Sequence, residues 1–211
     1  VQDDAIEIAV AADRIYIADA SSGLSVIDIS DPASPVLLGS LTLQSNIEEI
    51  VVEDNHAYIA NGIDGLRIID ISEPTSLYEK GFFSSGNFTK GVTVQGNRVG
   101  LAGDLGFRII DVSDPAEPVQ LGFFDTGSQA YAVTFKNTIA YMANGSDGLR
   151  IIDINDPSEL SEVKLSNTGC WARKVVVSGD HAYVGNGGGL NIIDISDPAN
   201  PFETGIYDIN D

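Results

Sequence analysis

Five near-copies of one eight-residue phrase run along the chain: GLSVIDIS (Gly23–Ser30), GLRIIDIS (Gly65–Ser72), GFRIIDVS (Gly106–Ser113), GLRIIDIN (Gly148–Asn155) and GLNIIDIS (Gly189–Ser196). Their aspartates, Asp28, Asp70, Asp111, Asp153 and Asp194, follow one another at 42, 41, 42 and 41 residues. A fixed period of this size means that each copy is one supersecondary unit. Such a unit cannot bury its apolar surface alone and must stack on its neighbours. The 211 residues therefore read as a single repeat domain, long enough to bury roughly 70–75% of the unfolded chain's surface.

Each copy contains four short extended runs. In the fourth they are AYAVTF, IAYMAN, GLRIIDI and SEVKLS, rich in Val, Ile and Tyr and bounded by Gly, Asn, Asp and Pro. The turns between the first and second runs are expected at Asp54-Asn55, Gly96-Asn97, Lys136-Asn137 and Gly179-Asp180. Residues of this kind tolerate the positive φ that tight hairpins need. All eight prolines, Pro32 to Pro201, fall between the third and fourth runs, where they cannot break a central ladder. Runs such as VIDI and IIDI are apolar on both faces, as in a strand covered on both sides. The expectation is an all-β chain forming a five-bladed β-propeller with four antiparallel strands per blade. The blades run over about 1–42, 43–84, 85–125, 126–167 and 168–211. A leucine-rich solenoid is the rival, but it needs shorter repeats of one strand each.

The phrase GLxIIDISDPxxP, followed by Gly39, Gly81, Gly122 and Gly205, resembles the LVIVD-repeat family. Leu24–Asp28 and Leu66–Asp70 nearly spell its name. The resemblance spans the whole chain and implies a propeller secreted by, or displayed on, bacterial or archaeal cells. Copy three departs from the pattern at Gly100, where the others have Tyr16, Tyr58, Tyr141 and Tyr183. Copy four departs at Leu160 and Val163.

The phase runs from a first strand to a fourth, so no swapped closing strand is expected. A closed ring would rest on side-chain packing between blades one and five; the alternative is a longer parent protein. The chain opens on Val1, so the lack of a signal peptide carries no weight about export.

Charge narrows the partners. Eleven basic residues face 31 acidic ones, a net charge of −20, which repels nucleic-acid phosphates. It also leaves attraction to calcium or a cationic partner open. No apolar run approaches the ~18 residues of a membrane helix, so direct membrane insertion is not expected. His56 and His181 share one repeat position on the far side from the variable loops and cannot form a zinc pair. Cys170, the single cysteine, is expected to be partly buried and inert. No metal-ligand or phosphate-loop motif occurs, so no cofactor is expected; calcium held by several loops remains open.

Asp28 and its four equivalents are expected to accept backbone amide bonds beside the Ser-Asp-Pro turn. Function is expected where the copies disagree. The lead-in segments DDAIE (Asp3–Glu7), SNIEE (Ser45–Glu49), NFTKG (Asn87–Gly91), SQAYA (Ser128–Ala132) and CWARK (Cys170–Lys174) share almost no side chain. The neighbouring loops DASSG, NGIDG, GDLG, NGSDG and NGGG differ as well. All should gather at one mouth of the central channel, as variable loops on a rigid scaffold. The candidate ligand-binding residues are Glu7, Glu48, Glu49, Lys90, Tyr131, Trp171, Arg173 and Lys174. Asp64, Asp104 and Asp147 would add acidity, and Phe88 aromatic surface. Carboxylates beside an aromatic plane suit a sugar's hydroxyls and apolar faces. Trp171 has an alternative reading as a seal between blades four and five.

Three functions follow as expectations. One is a non-enzymatic surface or secreted module that binds a glycan or protein partner. The second is a structural subunit of an extracellular assembly, with self-association. The third is a glycoside hydrolase using channel carboxylates such as Glu7 and Glu49, which would need a pair about 5–9 Å apart.

Overall fold

The computed structural model describes residues 5–19, 22–44 and 46–209. Asp3, Asp4 and Ser45 of the lead-in segments, and Ala20 and Ser21 of the first variable loop, lie outside these. The described residues hold twenty strands and no helix. Blade one is β1 (Ala5–Ala11), β2 (Arg14–Asp19), β3 (Gly23–Asp28) and β4 (Val36–Leu41). Blade two is β5 (Glu49–Glu53), β6 (His56–Ala60), β7 (Leu66–Asp70) and β8 (Tyr78–Phe83). Blade three is β9 (Thr89–Gln95), β10 (Arg98–Gly103), β11 (Gly106–Asp111) and β12 (Val119–Phe124). Blade four is β13 (Ala132–Lys136), β14 (Ile139–Ala143), β15 (Leu149–Asp153) and β16 (Ser161–Ser166). Blade five is β17 (Ala172–Ser178), β18 (His181–Asn186), β19 (Gly189–Asp194) and β20 (Phe202–Asp208). Each blade is a four-stranded antiparallel meander in chain order, so the chain is a five-bladed propeller whose blades close no strand on one another.

The first hairpin of each blade turns on one residue of positive φ: Ala12, Asp54, Gly96, Asn137 and Gly179. In blade four the two-residue turn is Asn137-Thr138, one residue later than Lys136-Asn137, because Lys136 still pairs with Ile139. The outer turns are tied as expected. The Oδ1 atoms of Asp28, Asp70, Asp111, Asp153 and Asp194 accept from the backbone N–H two residues on, at 2.8, 3.1, 2.8, 2.8 and 2.9 Å. A second aspartate repeats the device one step later in four blades, from Asp31, Asp114, Asp156 and Asp197. Blade two has Glu73 there.

The core is a series of clusters between blades. Tyr16, Ala18, Leu24 and Val26 of blade one meet Ile50, Ala57, Ile59 and Ile69 of blade two. The same faces meet between blades two and three, three and four, and four and five. Gly100 is matched by a compensating change across its junction. A Cβ there would stand 2.6 Å from Phe135, and Phe135 sits where the other blades carry Val10, Val52, Val94 and Val177. The tyrosine lost from blade three is thus replaced by a ring from blade four.

A glycine on the outer strand marks how closely blades approach. A Cβ on Gly39, Gly81 or Gly122 would lie 2.2, 2.2 or 1.8 Å from the carbonyl oxygen of Pro74, Pro115 or Pro157 in the next blade. The register places Lys164, rather than Val163, at this position in blade four.

The expected close packing of blade five on blade one is not formed; the two meet through Lys174 and Glu7 at 3.2 Å. Neighbouring inner strands pack closely from β1 through β17, but β17 and β1 do not. Among the described residues, the only atom near a Cβ on Gly205 belongs to its own blade, Ile192 at 3.9 Å.

Candidate functional site

The lead-in segments reach the channel mouth because each inner strand begins there. Antiparallel register puts Glu7, Glu49, Gly91, Ala132 and Lys174 at one level of the ring, opposite Ala18, Ala60, Ala102, Ala143 and Gly185 on the second strands. One position earlier stand Ile6, Glu48, Lys90, Tyr131 and Arg173. Five-fold repetition of the backbone therefore gathers five side chains at each level, unlike but for Glu7 and Glu49.

Seven of the eight candidate residues line a single cavity of about 270 Å³: Glu7, Glu48, Glu49, Lys90, Tyr131, Arg173 and Lys174. Every blade contributes. Lys174 stands between the acidic pair, with its Nζ donating to Glu49 Oε1 and, at 3.2 Å, to Glu7 Oε2. Glu49 is 9% exposed, and its second oxygen accepts from the Val92 N–H at 2.8 Å. Burial pushes the Glu49 carboxyl up, opposed by the Lys174 ammonium and the Val92 N–H. Burial also works against the Lys174 charge, but the carboxylates of Glu49 and Glu7 outweigh it and hold the ammonium above the ordinary lysine range.

The opposite wall is aromatic and basic. Lys90 Nζ lies 4.3 Å from the Tyr131 ring centroid and forms an ion pair with Asp104. The Arg173 guanidinium stands 5.9 Å from the same ring. Tyr131 is oriented by its hydroxyl, which donates to Gln129 Oε1 at 2.6 Å. Among the described residues, Glu48 and Arg173 make no ion pair. Burial raises the Glu48 carboxyl, with Lys90 opposing.

The eighth candidate, Trp171, lies outside the cavity lining. It is 43% exposed and meets the Tyr131 ring edge-on at 6.1 Å. It also covers Gly145, whose Cβ position lies 3.2 Å from the indole. Phe88 covers Gly62 in the same way at 3.3 Å, so this aromatic-on-glycine contact recurs where a lead-in segment crosses the preceding blade's loop. Isolated bridges join the same segments, Gly62 to Thr89 and Gly145 to Ala172.

Asp64 and Asp147 do not join the cavity. They are held by Arg67 and Arg150, three residues on, at 3.3 and 3.2 Å. Cys170 is exposed rather than partly buried, because it precedes β17 at the outer tip of its lead-in turn. Sequence reasoning missed the Val92 N–H and Gln129. The shared register of Val92 with Ile50, Val133 and Val175 would have placed the former beside Glu49. No group of three or more His, Cys, Asp or Glu side chains among the described residues is arranged to hold a metal ion.

Twenty strands in five like blades, with variable side chains at one mouth of the channel, define a repeat propeller. The chain belongs to the LVIVD repeat family, whose model matches residues 3–42, 46–84, 86–126, 129–168 and 169–209. No curated protein sequence matches it. Among solved structures it is similar to the computationally designed Ika8 protein, at TM-score 0.75 and 15% identity over 94% of this chain; it spans 60% of that chain. It is also similar to the computationally designed Ika4 protein, at TM-score 0.63 and 17% identity, over 74% of this chain and 94% of that one.

Proposed function

We propose that this propeller is a non-enzymatic binding module, secreted or held at a cell surface, whose partner sits on the channel mouth. The observation that carries the reading is the convergence of seven side chains from the variable lead-in segments of all five blades on one cavity. Repeated residues such as Asp28 and Asp70 are occupied in turns, whereas Glu48 and Arg173 have no ion-pair partner among the described residues. A cavity near the lower end of the ~300–1,000 Å³ usual for ligands, with carboxylates on one wall and a tyrosine on the other, suits one or two sugar units. A glycan is therefore the partner favoured over a protein.

Hydrolysis fits the geometry less well. A glycosidase needs one carboxyl protonated and the other ionised. Here the Lys174 ammonium stands between Glu7 and Glu49 and bonds to both, occupying the space in which a scissile bond would have to lie. A purely structural subunit would leave the cavity without a ligand.

The test is thermal unfolding against a panel of saccharides, calcium and EDTA. A ligand of the folded state raises the melting temperature once its concentration passes its dissociation constant. The expected result is a shift with a saccharide that Tyr131→Ala and Arg173→Ala abolish. No shift with any saccharide removes the glycan reading. Turnover of a glycoside lost in Glu49→Gln would replace it with hydrolysis.

A further inference from the structure

Six charged side chains line the mouth cavity, three carboxylates and three cations: Glu7, Glu48, Glu49, Lys90, Arg173 and Lys174. Four of them are satisfied within the protein. Lys174 bonds to both Glu7 and Glu49, and Glu49 also accepts from the Val92 N–H at 2.8 Å. Lys90 pairs with Asp104, which stands outside the cavity lining. Glu48 and Arg173 remain, one charge of each sign, without an ion pair among the described residues.

The propeller keeps these two from neutralising each other. Both stand one position before the innermost level, Glu48 ahead of β5 in blade two and Arg173 within β17 in blade five. At that level blade one, which lies between them, has Ile6 and therefore no charge to offer either. On the longer way round the ring stand Lys90 and Tyr131, and Lys90 is taken by Asp104. Two opposite charges thus face one cavity from separate blades.

Arg173 is also held in place. Its guanidinium lies 5.9 Å from the centroid of the Tyr131 ring, and that ring is fixed by the bond of its hydroxyl to Gln129 at 2.6 Å. A guanidinium stacked in this way keeps its N–H fork for a carboxylate, which it meets with two parallel bonds. Glu48 is half-buried, and burial raises its carboxyl against the opposing effect of Lys90; a cation set against it would reverse that rise. A neutral sugar laid over the mouth would strip water from both charges and return no counter-charge to either, which is costly. A purely acidic ligand would answer Arg173 alone and approach against a net charge of −20. A purely basic one would answer Glu48 alone.

We propose that the ligand of the mouth is a zwitterionic sugar, with its amino group on Glu48 and its carboxylate on Arg173. The inference rests on the reading of the mouth as a glycan site and names the charge pattern of that glycan.

The test is calorimetric titration of the 211-residue chain with sugars that differ in charge. Glucose carries none, glucosamine an amine, and glucuronate a carboxylate. Muramic acid and 2-amino-2-deoxygalacturonic acid carry both, the first on neighbouring ring positions and the second on opposite sides of the ring. Glycine supplies both charges without a sugar. The expected result is that one of the two zwitterionic sugars binds about tenfold more tightly than glucosamine or glucuronate, the worth of one added charge-assisted bond. Glu48→Gln should weaken that sugar and glucosamine about tenfold and leave glucuronate unchanged, while Arg173→Gln should weaken that sugar and glucuronate and leave glucosamine unchanged. Neither variant should lower the melting temperature of the free protein, because neither removes an internal ion pair. Equal affinity for glucose and the zwitterionic sugars overturns the inference and leaves the glycan reading standing. Binding of none of the sugars overturns both. A zwitterion preference that survives either substitution overturns the placement on Glu48 and Arg173, and glycine binding as tightly as the zwitterionic sugars overturns the sugar.

Discussion

Replacing Gly81 and Gly205 by alanine should give opposite results, although the two occupy one repeat position. A Cβ on Gly81 would stand 2.2 Å from the Pro115 carbonyl oxygen and 3.1 Å from Ala116. Ordinary contact begins near 3.4 Å, so blades two and three must separate locally by about 1 Å or distort by a similar amount; overpacking of this kind costs typically 1–3 kcal/mol. The displaced surface includes the cluster of Tyr58, Ile68, Val92 and Val112, whose loosened contacts place the loss toward the top of that range. Lys164 at the same position in blade four shows that a side chain is tolerated where the strand adjusts, which bounds the cost. At Gly205 the nearest atom is Ile192 at 3.9 Å, and no positive φ is involved. Alanine there loses nothing and restricts the unfolded chain, a gain of about 0.4–1 kcal/mol. At ~2–4 °C per kcal/mol for a domain of this size, Gly81→Ala should lower the melting temperature by roughly 5–10 °C and Gly205→Ala should raise it by about 1–3 °C. Differential scanning calorimetry reads both. An equal loss from the two substitutions would mean that blade five is covered within its own chain, and the reasoning from the absent contact would fail.

Three further outcomes follow from single residues. Ala12 has φ 51° in a turn where other blades use Gly, Asp or Asn, so Ala12→Gly should stabilise by about 0.5–1 kcal/mol in urea titration, the relief exceeding glycine's entropy cost. The Ser72 hydroxyl bond, with those of Tyr78 and the Ser72 N–H and against burial, lowers the Asp70 carboxyl from 3.8 to about 2. A depressed folded-state value stabilises above the unfolded one, so this contribution is present above pH ~4 and is lost as pH falls toward 2; Asp70→Asn should flatten the acid limb of a melting-temperature profile. Lys174→Met strips the buried Glu49 of its counter-charge and should cost about 1–2 kcal/mol at neutral pH, less than for a fully buried pair because Lys174 is half exposed. Acidification should recover part of that loss by protonating Glu49, whereas a pH-independent loss would mean that packing, not charge, was removed.

The scaffold was legible because it is written five times. Period, turn residues and the position of every proline agree on one blade, and each agreement strengthens the others. The amide-binding role of Asp28 and its equivalents followed from their place before Ser-Asp-Pro. The mouth was legible by subtraction, as the segments in which the copies differ, and register then fixed which side chains share a level. What the repeat concealed lies at its breaks. Gly100 reads as a defect until Phe135, 35 residues on, is seen to occupy the same space. The open junction was hidden for the same reason. A periodic sequence specifies how each blade meets the next, but the last meeting depends on the angle accumulated over all the others.

The asymmetry of the mouth has a local cause. At the innermost level blades three and four carry Gly91 and Ala132, while blades one, two and five carry Glu7, Glu49 and Lys174. A Cβ on Gly91 would lie 2.8 Å from the Ala132 Cα and 2.9 Å from the Tyr131 carbonyl oxygen, so its absence lets β9 and β13 come together. The next residue on the same strand, Val92, donates its N–H to the Glu49 carboxylate at 2.8 Å, which gives an acid 9% exposed its second partner. The long side chains of the other three blades extend into the width left by the two small ones and join through Lys174. Enlarging Gly91 should therefore disturb two things together, the β9–β13 approach and the Glu49–Val92 bond. Gly91→Val is expected to lower stability by about 2–3 kcal/mol through overpacking and also to shift the titration of Glu49, read by carboxyl NMR. A stability loss with the Glu49 titration unchanged would separate the two and show that the acid is held by Lys174 alone.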